Sequence, residues 1–214
     1  MFVQVIKGKV KDAAGLQAAM GTWIDELAPD TTGWLGSTTG MTDDGTGIAV
    51  ARFDSVENAR RNSDRPEQGR WWAETERLFD GEVTFDESVT ADEHVSGDPD
   101  TAGFVQIMRG RASDLERARE LRRNVPADLS ALRPELLAIL DLAHDDGRWT
   151  TVAYFTSEAD ARKGEAQEPP REFAEMMREL NTLIVGEIEF FDLRQVWMYS
   201  PSRAAAPSMA GGAG

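Results

Sequence analysis

The chain repeats itself, and that repeat limits its folds more than any local pattern does. "FVQVIKGKVKD" at Phe2–Asp12 returns as "FVQIMRGRASD" at Phe104–Asp114, an offset of 102 residues. The same offset pairs the "DDG" at Asp43–Gly45 with that at Asp145–Gly147, and "ARFDSVENARR" from Ala51 with "AYFTSEADARK" from Ala153. "GEVTF" from Gly81 meets "GEIEF" from Gly186 at an offset of 105, so the second copy carries a net three extra residues. Two copies of one unit are therefore expected, over 1–92 and 104–200. The Asp-, Gly- and Ser-rich stretch 93–103 reads as a linker and 201–214 as a flexible tail.

Within each copy the periodicity changes in a fixed order. Phe2 to Lys11 alternates and ends at Asp12, which suits a strand followed by a helix N-cap. Leu16, Met20, Trp23, Ile24 and Leu27 then form one apolar helical stripe. Gly33–Thr42 and Gly47–Phe53 flank "DDGTG", whose Asp-Gly step favours a hairpin. A second helical segment runs from Ser55 to about Phe79 with a break near Pro66, and "GEVTFDESV" closes the unit as a strand. The order βαββαβ predicts an α+β fold: two tandem ferredoxin-like units, each an antiparallel sheet with both helices on one face. A sheet covered on one face must bury the other. Packing the two sheets face to face within the chain, as an α/β barrel, is the economical way to do so, and burial between chains is the alternative.

The 214 residues carry 23 Lys and Arg against 38 Asp and Glu, a net charge of −15 that repels nucleic acid and anionic membranes. No apolar run approaches the roughly 20 residues that span a bilayer. The N-terminus alternates like a strand, so a cytoplasmic location is expected. With no cysteine, thiolate chemistry and Cys-ligated metals are excluded.

The element order, the "FDSVENARRN" segment with its Ser-capped helix, and the aromatic helix leading into "DGEVTF" resemble the dimeric α/β-barrel proteins. That family includes the antibiotic-biosynthesis monooxygenases and haem-degrading relatives. The resemblance covers both copies and implies that a tandem chain is a fused dimer, with further homodimerisation as a candidate assembly. It also implies a ligand cavity between the second helix and the sheet. Haem-binding relatives use a histidine on the second helix, and neither copy has one.

The candidate pocket residues follow from these readings. Trp71 and Trp72 flank one helical stripe, and only one has an aromatic counterpart in the second copy; the stripe reads first as core packing, and the alternative is that one indole is core and the extra one lines a cavity. Asn62 and Arg70 border them as polar groups suited to a pocket mouth, and Trp23 and Trp34 supply further aromatic wall. Of the two histidines, His94 lies in the acidic linker and is read as solvated; His144 precedes a hairpin, where a lone histidine reads as a surface residue, and is retained among the pocket candidates. Neither forms part of a three-ligand zinc set. No metal or other cofactor is expected, and the expected partner is a small apolar or aromatic molecule. The function implied is a cofactor-independent monooxygenase acting on a phenolic or quinol-type molecule. The alternative is a non-catalytic binding or stress-related protein on the same scaffold.

Overall fold

A computed structural model describes residues 1–124 and 132–201. The expected tail from 202 onward lies outside the described residues. The first repeat comprises β1 (Phe2–Val10), α1 (Ala13–Thr22), β2 (Trp34–Met41), β3 (Thr46–Phe53), α2 (Val56–Ser63), α3 (Pro66–Thr75) and β4 (Phe79–Ser88), and β5 (Thr90–Val95) follows it. The second repeat comprises β6 (Phe104–Ala112), α4 (Leu115–Arg123), β7 (Leu136–Ala143), β8 (Arg148–Phe155), α5 (Glu158–Glu165), α6 (Arg171–Leu183) and β9 (Ile184–Leu193), followed by β10 (Gln195–Tyr199).

The repeat extends to the caps. Asp12 accepts from Gly15 N–H at 2.9 Å and Asp114 accepts from Arg117 N–H at 2.9 Å, so each first helix starts on an aspartate. Ser55 and Ser157 cap the second helices in the same way. Pro66 occupies the first position of α3, where its missing N–H costs nothing, which places the expected break. After α1 the chain passes through a π-helical turn at Trp23–Leu27, and Leu16, Met20, Trp23 and Leu27 are buried as the stripe predicts.

The sheets run β10-β2-β3-β1-β4 and β5-β7-β8-β6-β9, all antiparallel. They stack face to face on one apolar layer: Val3, Val5, Ile48 and Val50 from the first sheet meet Val105, Ile107, Leu140 and Val152 from the second. The Thr38 and Tyr154 hydroxyls, 2.9 Å apart, bridge the layer. The sheets do not close into a single barrel; they exchange edge strands. β5 pairs with β7 of the second sheet, and β10 pairs with β2 of the first. Where β10 passes β2, a Cβ on Gly36 would lie 2.8 Å from the Tyr199 carbonyl oxygen, and φ there is +134°, so only glycine fits.

This exchange corrects the linker reading. Residues 90–95 are a paired strand, although their composition resembles a loop, because β7 offers an open row of backbone donors and acceptors. Asp92 is held by Arg119 and Arg123, and His94 pairs with Ile139 across the ladder. Phe85 lies on the helix face of the edge strand β4 and is 46% exposed.

Charged contacts join the repeats. Asp86 meets both Arg109 and Arg148, the latter at 2.6 Å, and Arg52 meets Glu93 at 3.1 Å. Arg194 reaches Asp43 at 2.5 Å while also holding Glu158.

Candidate functional site

The helix face of the first sheet carries a cavity, and the register of its strands explains why. Across β2, β3, β1 and β4, one row reads Ser37, Ala51, Gln4, Glu87, and the next reads Thr39, Ala49, Ile6, Phe85. Alanines at the centre of both rows leave space above the sheet, with polar side chains at the margins. About 1030 Å³ of atom-free space, open mouth included, lies between this floor and α1, α2 and α3.

Four indoles wall it. Trp23 and Trp34 meet edge to face at 5.1 Å, Trp23 and Trp71 at 6.5 Å, and Trp71 and Trp72 at 6.1 Å. Trp72 continues the series to Phe85 at 5.2 Å. Hydrogen bonds fix three of the rings: Trp23 donates to Gln68 Oε1 at 2.7 Å, Trp34 to Ser37 Oγ at 3.0 Å, and Trp71 to the Ala19 carbonyl at 2.8 Å. The Trp72 N–H has no partner among the described residues. Both tryptophans of the pair line the cavity, and neither is fully buried. Trp71 is the anchored wall packed on the Trp23–Trp34 cluster, and Trp72 stands towards the exposed Phe85.

Asn62, buried on α2, also lines the space. Its Oδ1 accepts from Thr31 Oγ1 at 3.2 Å and from Arg65 at 3.4 Å, and Arg65 is itself held by the Leu27 carbonyl and Glu67. With the oxygen occupied, the amide N–H₂ is the group left for the cavity. Gln4 donates to Glu87 at 3.1 Å, and Glu87 is the one carboxylate among the lining residues.

Thus Trp71, Trp72, Asn62, Trp23 and Trp34 come together, whereas Arg70 and His144 do not. On α3 the cavity face is Gln68, Trp71, Trp72 and Thr75, which leaves Arg70 exposed on the opposite face. Arg60 of α2 is the arginine that lines the site. His144 is neither in the cavity nor at the surface. It is buried at the β7–β8 hairpin, with Nδ1 3.0 Å from the Glu87 carbonyl and Nε2 3.0 Å from Thr150 Oγ1, so it ties the two repeats together.

Larger residues stand at the matching floor positions of the second repeat. Trp149 stands where the first repeat has Gly47, Thr151 where it has Ala49, and Asp141 where it has Thr39. Arg122 lies 4.3 Å from the centre of the Trp149 ring and 3.4 Å from Asp141, which also accepts from Thr151. Burial pushes the Asp141 carboxyl up and the Arg122 guanidinium down, against their mutual attraction. Among the described residues no group of three His, Asp or Glu side chains is placed to hold a metal, and no helix is long and apolar enough to cross a membrane.

No family model matches this chain, and no curated protein matches it by sequence. Solved structures do match by shape. A candidate monooxygenase from Fusobacterium nucleatum superposes with a TM-score of 0.75 at 11% identity, over 94% of each chain. The chain has the tandem ferredoxin-like, monooxygenase-like fold. A candidate monooxygenase from Lactobacillus acidophilus matches 92% of this chain and 98% of its own, with a TM-score of 0.71 at 10% identity. An anthrone oxidase-like protein matches 97% of this chain and 96% of its own, with a TM-score of 0.68 at 11% identity. Such coverage means that these monooxygenase-like chains also hold both repeats.

Proposed function

We propose that the first repeat binds a small phenolic or quinol-type aromatic molecule and acts on it as a cofactor-independent monooxygenase. The observation that carries this reading is the cavity walled by four indoles in the first repeat. A flat, electron-rich ring suits walls of this kind. The named activities of the similar monooxygenase-like and anthrone oxidase-like proteins are in keeping with it.

In such a reaction the deprotonated substrate itself reduces O₂. A ring carbon bearing hydrogen becomes a carbonyl, one oxygen atom enters the product, the other leaves as water, and the substrate supplies all four electrons. The chain's share is to exclude water with the indoles, to donate the Asn62 amide to the substrate oxyanion, and to receive a proton on Glu87 at the margin. Removing a hydrogen bond to a charged group costs about 1.5–3 kcal/mol, so Asn62→Ala should weaken phenolate ligands by about tenfold or more.

The test is oxygen uptake with a panel of anthrones, naphthols and hydroquinones, run beside quenching of tryptophan fluorescence. Binding together with stoichiometric O₂ consumption is the expected result. Binding without consumption would favour a ligand-carrying role.

A further inference from the structure

The cavity floor contains a polar group with nothing to bond. Thr39 is 2% exposed, lines the cavity, and its Oγ1 has no hydrogen-bond partner. Burying a hydroxyl unpaired is costly, and valine would fill the same volume without that cost. Thr39 stands on its row between Ala49 of β3 and Trp197 of β10.

Its neighbour Ser37, two residues away on the same face and about 7 Å along the strand, is buried too. Because Ser37 Oγ accepts the Trp34 N–H, its own proton remains to be donated. The two hydroxyls therefore sit on one strand of the floor, opposite the margin formed by Gln4 and Glu87.

The second repeat is an internal control. At the position matching Thr39 it has Asp141, bonded by Thr151 and Arg122, so this floor position is satisfied in the second repeat and unsatisfied in the first.

We infer that Thr39, assisted by Ser37, is the specificity-determining contact for an oxygen substituent on the ligand's aromatic ring, a hydroxyl or a carbonyl. The preferred ligand class is then an oxygenated aromatic, in contrast to a plain hydrocarbon or an alkyl chain that the indoles alone would accept. This inference rests on the proposed aromatic-binding role of the same cavity.

The experiment measures the affinities of 1-naphthol and naphthalene by tryptophan quenching for the parent, Thr39→Val and Thr39→Ser. The parent should prefer 1-naphthol by about tenfold, Thr39→Val should cut that preference while keeping naphthalene affinity, and Thr39→Ser should restore most of it. Equal preference in the parent and Thr39→Val overturns the inference and leaves the aromatic cavity standing. Binding of neither compound overturns both. A preference that depends on Thr39, with no oxygen uptake on any phenol, supports the inference and removes only the monooxygenase reading.

Discussion

Asp86→Ala is expected to destabilise the protein by about 3–5 kcal/mol, because it strands a buried cation between the two repeats. Asp86 and Arg109 are both largely shielded from solvent, and Arg148 completes the cluster from a neighbouring strand. The exposed pair Arg77–Glu74, at 2.9 Å, is the control: Glu74→Ala should cost less than about 1 kcal/mol. The cluster also sets a pH dependence. Burial pushes the Asp86 carboxyl up, but the Arg148 hydrogen bond and the charges of Arg109 and Arg148 outweigh it and hold the group below the ordinary carboxylate range. Its folded pKa is thus depressed, so its contribution is full above the unfolded value near ~4 and is lost as the pH falls through the folded value. Chemical denaturation across acidic pH should show a shallower decline in Asp86→Ala than in the parent. An equally steep decline would mean that other carboxylates govern acid unfolding.

Trp71→Ala should cost about 3 kcal/mol, and Trp72→Ala about 1 kcal/mol. Trp71 donates to the Ala19 carbonyl and packs on the buried Trp23–Trp34 cluster, so its loss enlarges a cavity and removes one of the two donors to that carbonyl, the Trp23 N–H remaining. Trp72 borders space that is already empty and contacts a half-exposed Phe85. Its variant should instead lose up to about tenfold in affinity for aromatic ligands, the scale of one ring–ring contact. Equilibrium unfolding and fluorescence titration of both variants decide the matter; equal stability losses with unchanged affinity would reduce "WW" to packing alone.

The sequence carried the architecture because duplication shows each element twice. Asp12 and Asp114, Ser55 and Ser157, and the two Asp-Gly hairpins mark the same boundaries independently. β5 was not legible, since an edge strand bearing Asp92 and Glu93 has the composition of a loop and owes its form to a partner strand more than 40 residues away. Of the site, three of the indoles were visible as outsized residues on helical segments and Trp34 as one at the start of a strand. Ser37, Thr39, Gln4 and Gln68 were not, because short polar residues on strands look like any surface until the register sets them on a floor. A usable signal did exist: at matching positions the first repeat has Gly47 and Ala49 where the second has Trp149 and Thr151, so the smaller residues fall in the first copy. Arg70 is next to Trp71 in sequence, but each helical position turns the side chain by about 100°, which takes it off the cavity face.

The exchange of edge strands governs when the site can exist during synthesis. β2, which carries Ser37 and Thr39, lacks its outer neighbour until β10 arrives, and Thr39 pairs with Trp197 in that ladder. A nascent chain that has released only the first repeat from the ribosome therefore presents β2 as a bare, sticky edge, open to wrong pairing with other chains. Maturation of the ligand chamber must await translation of Gln195–Tyr199, so a prematurely terminated product that stops before them would contain every cavity-lining residue and still lack a finished chamber.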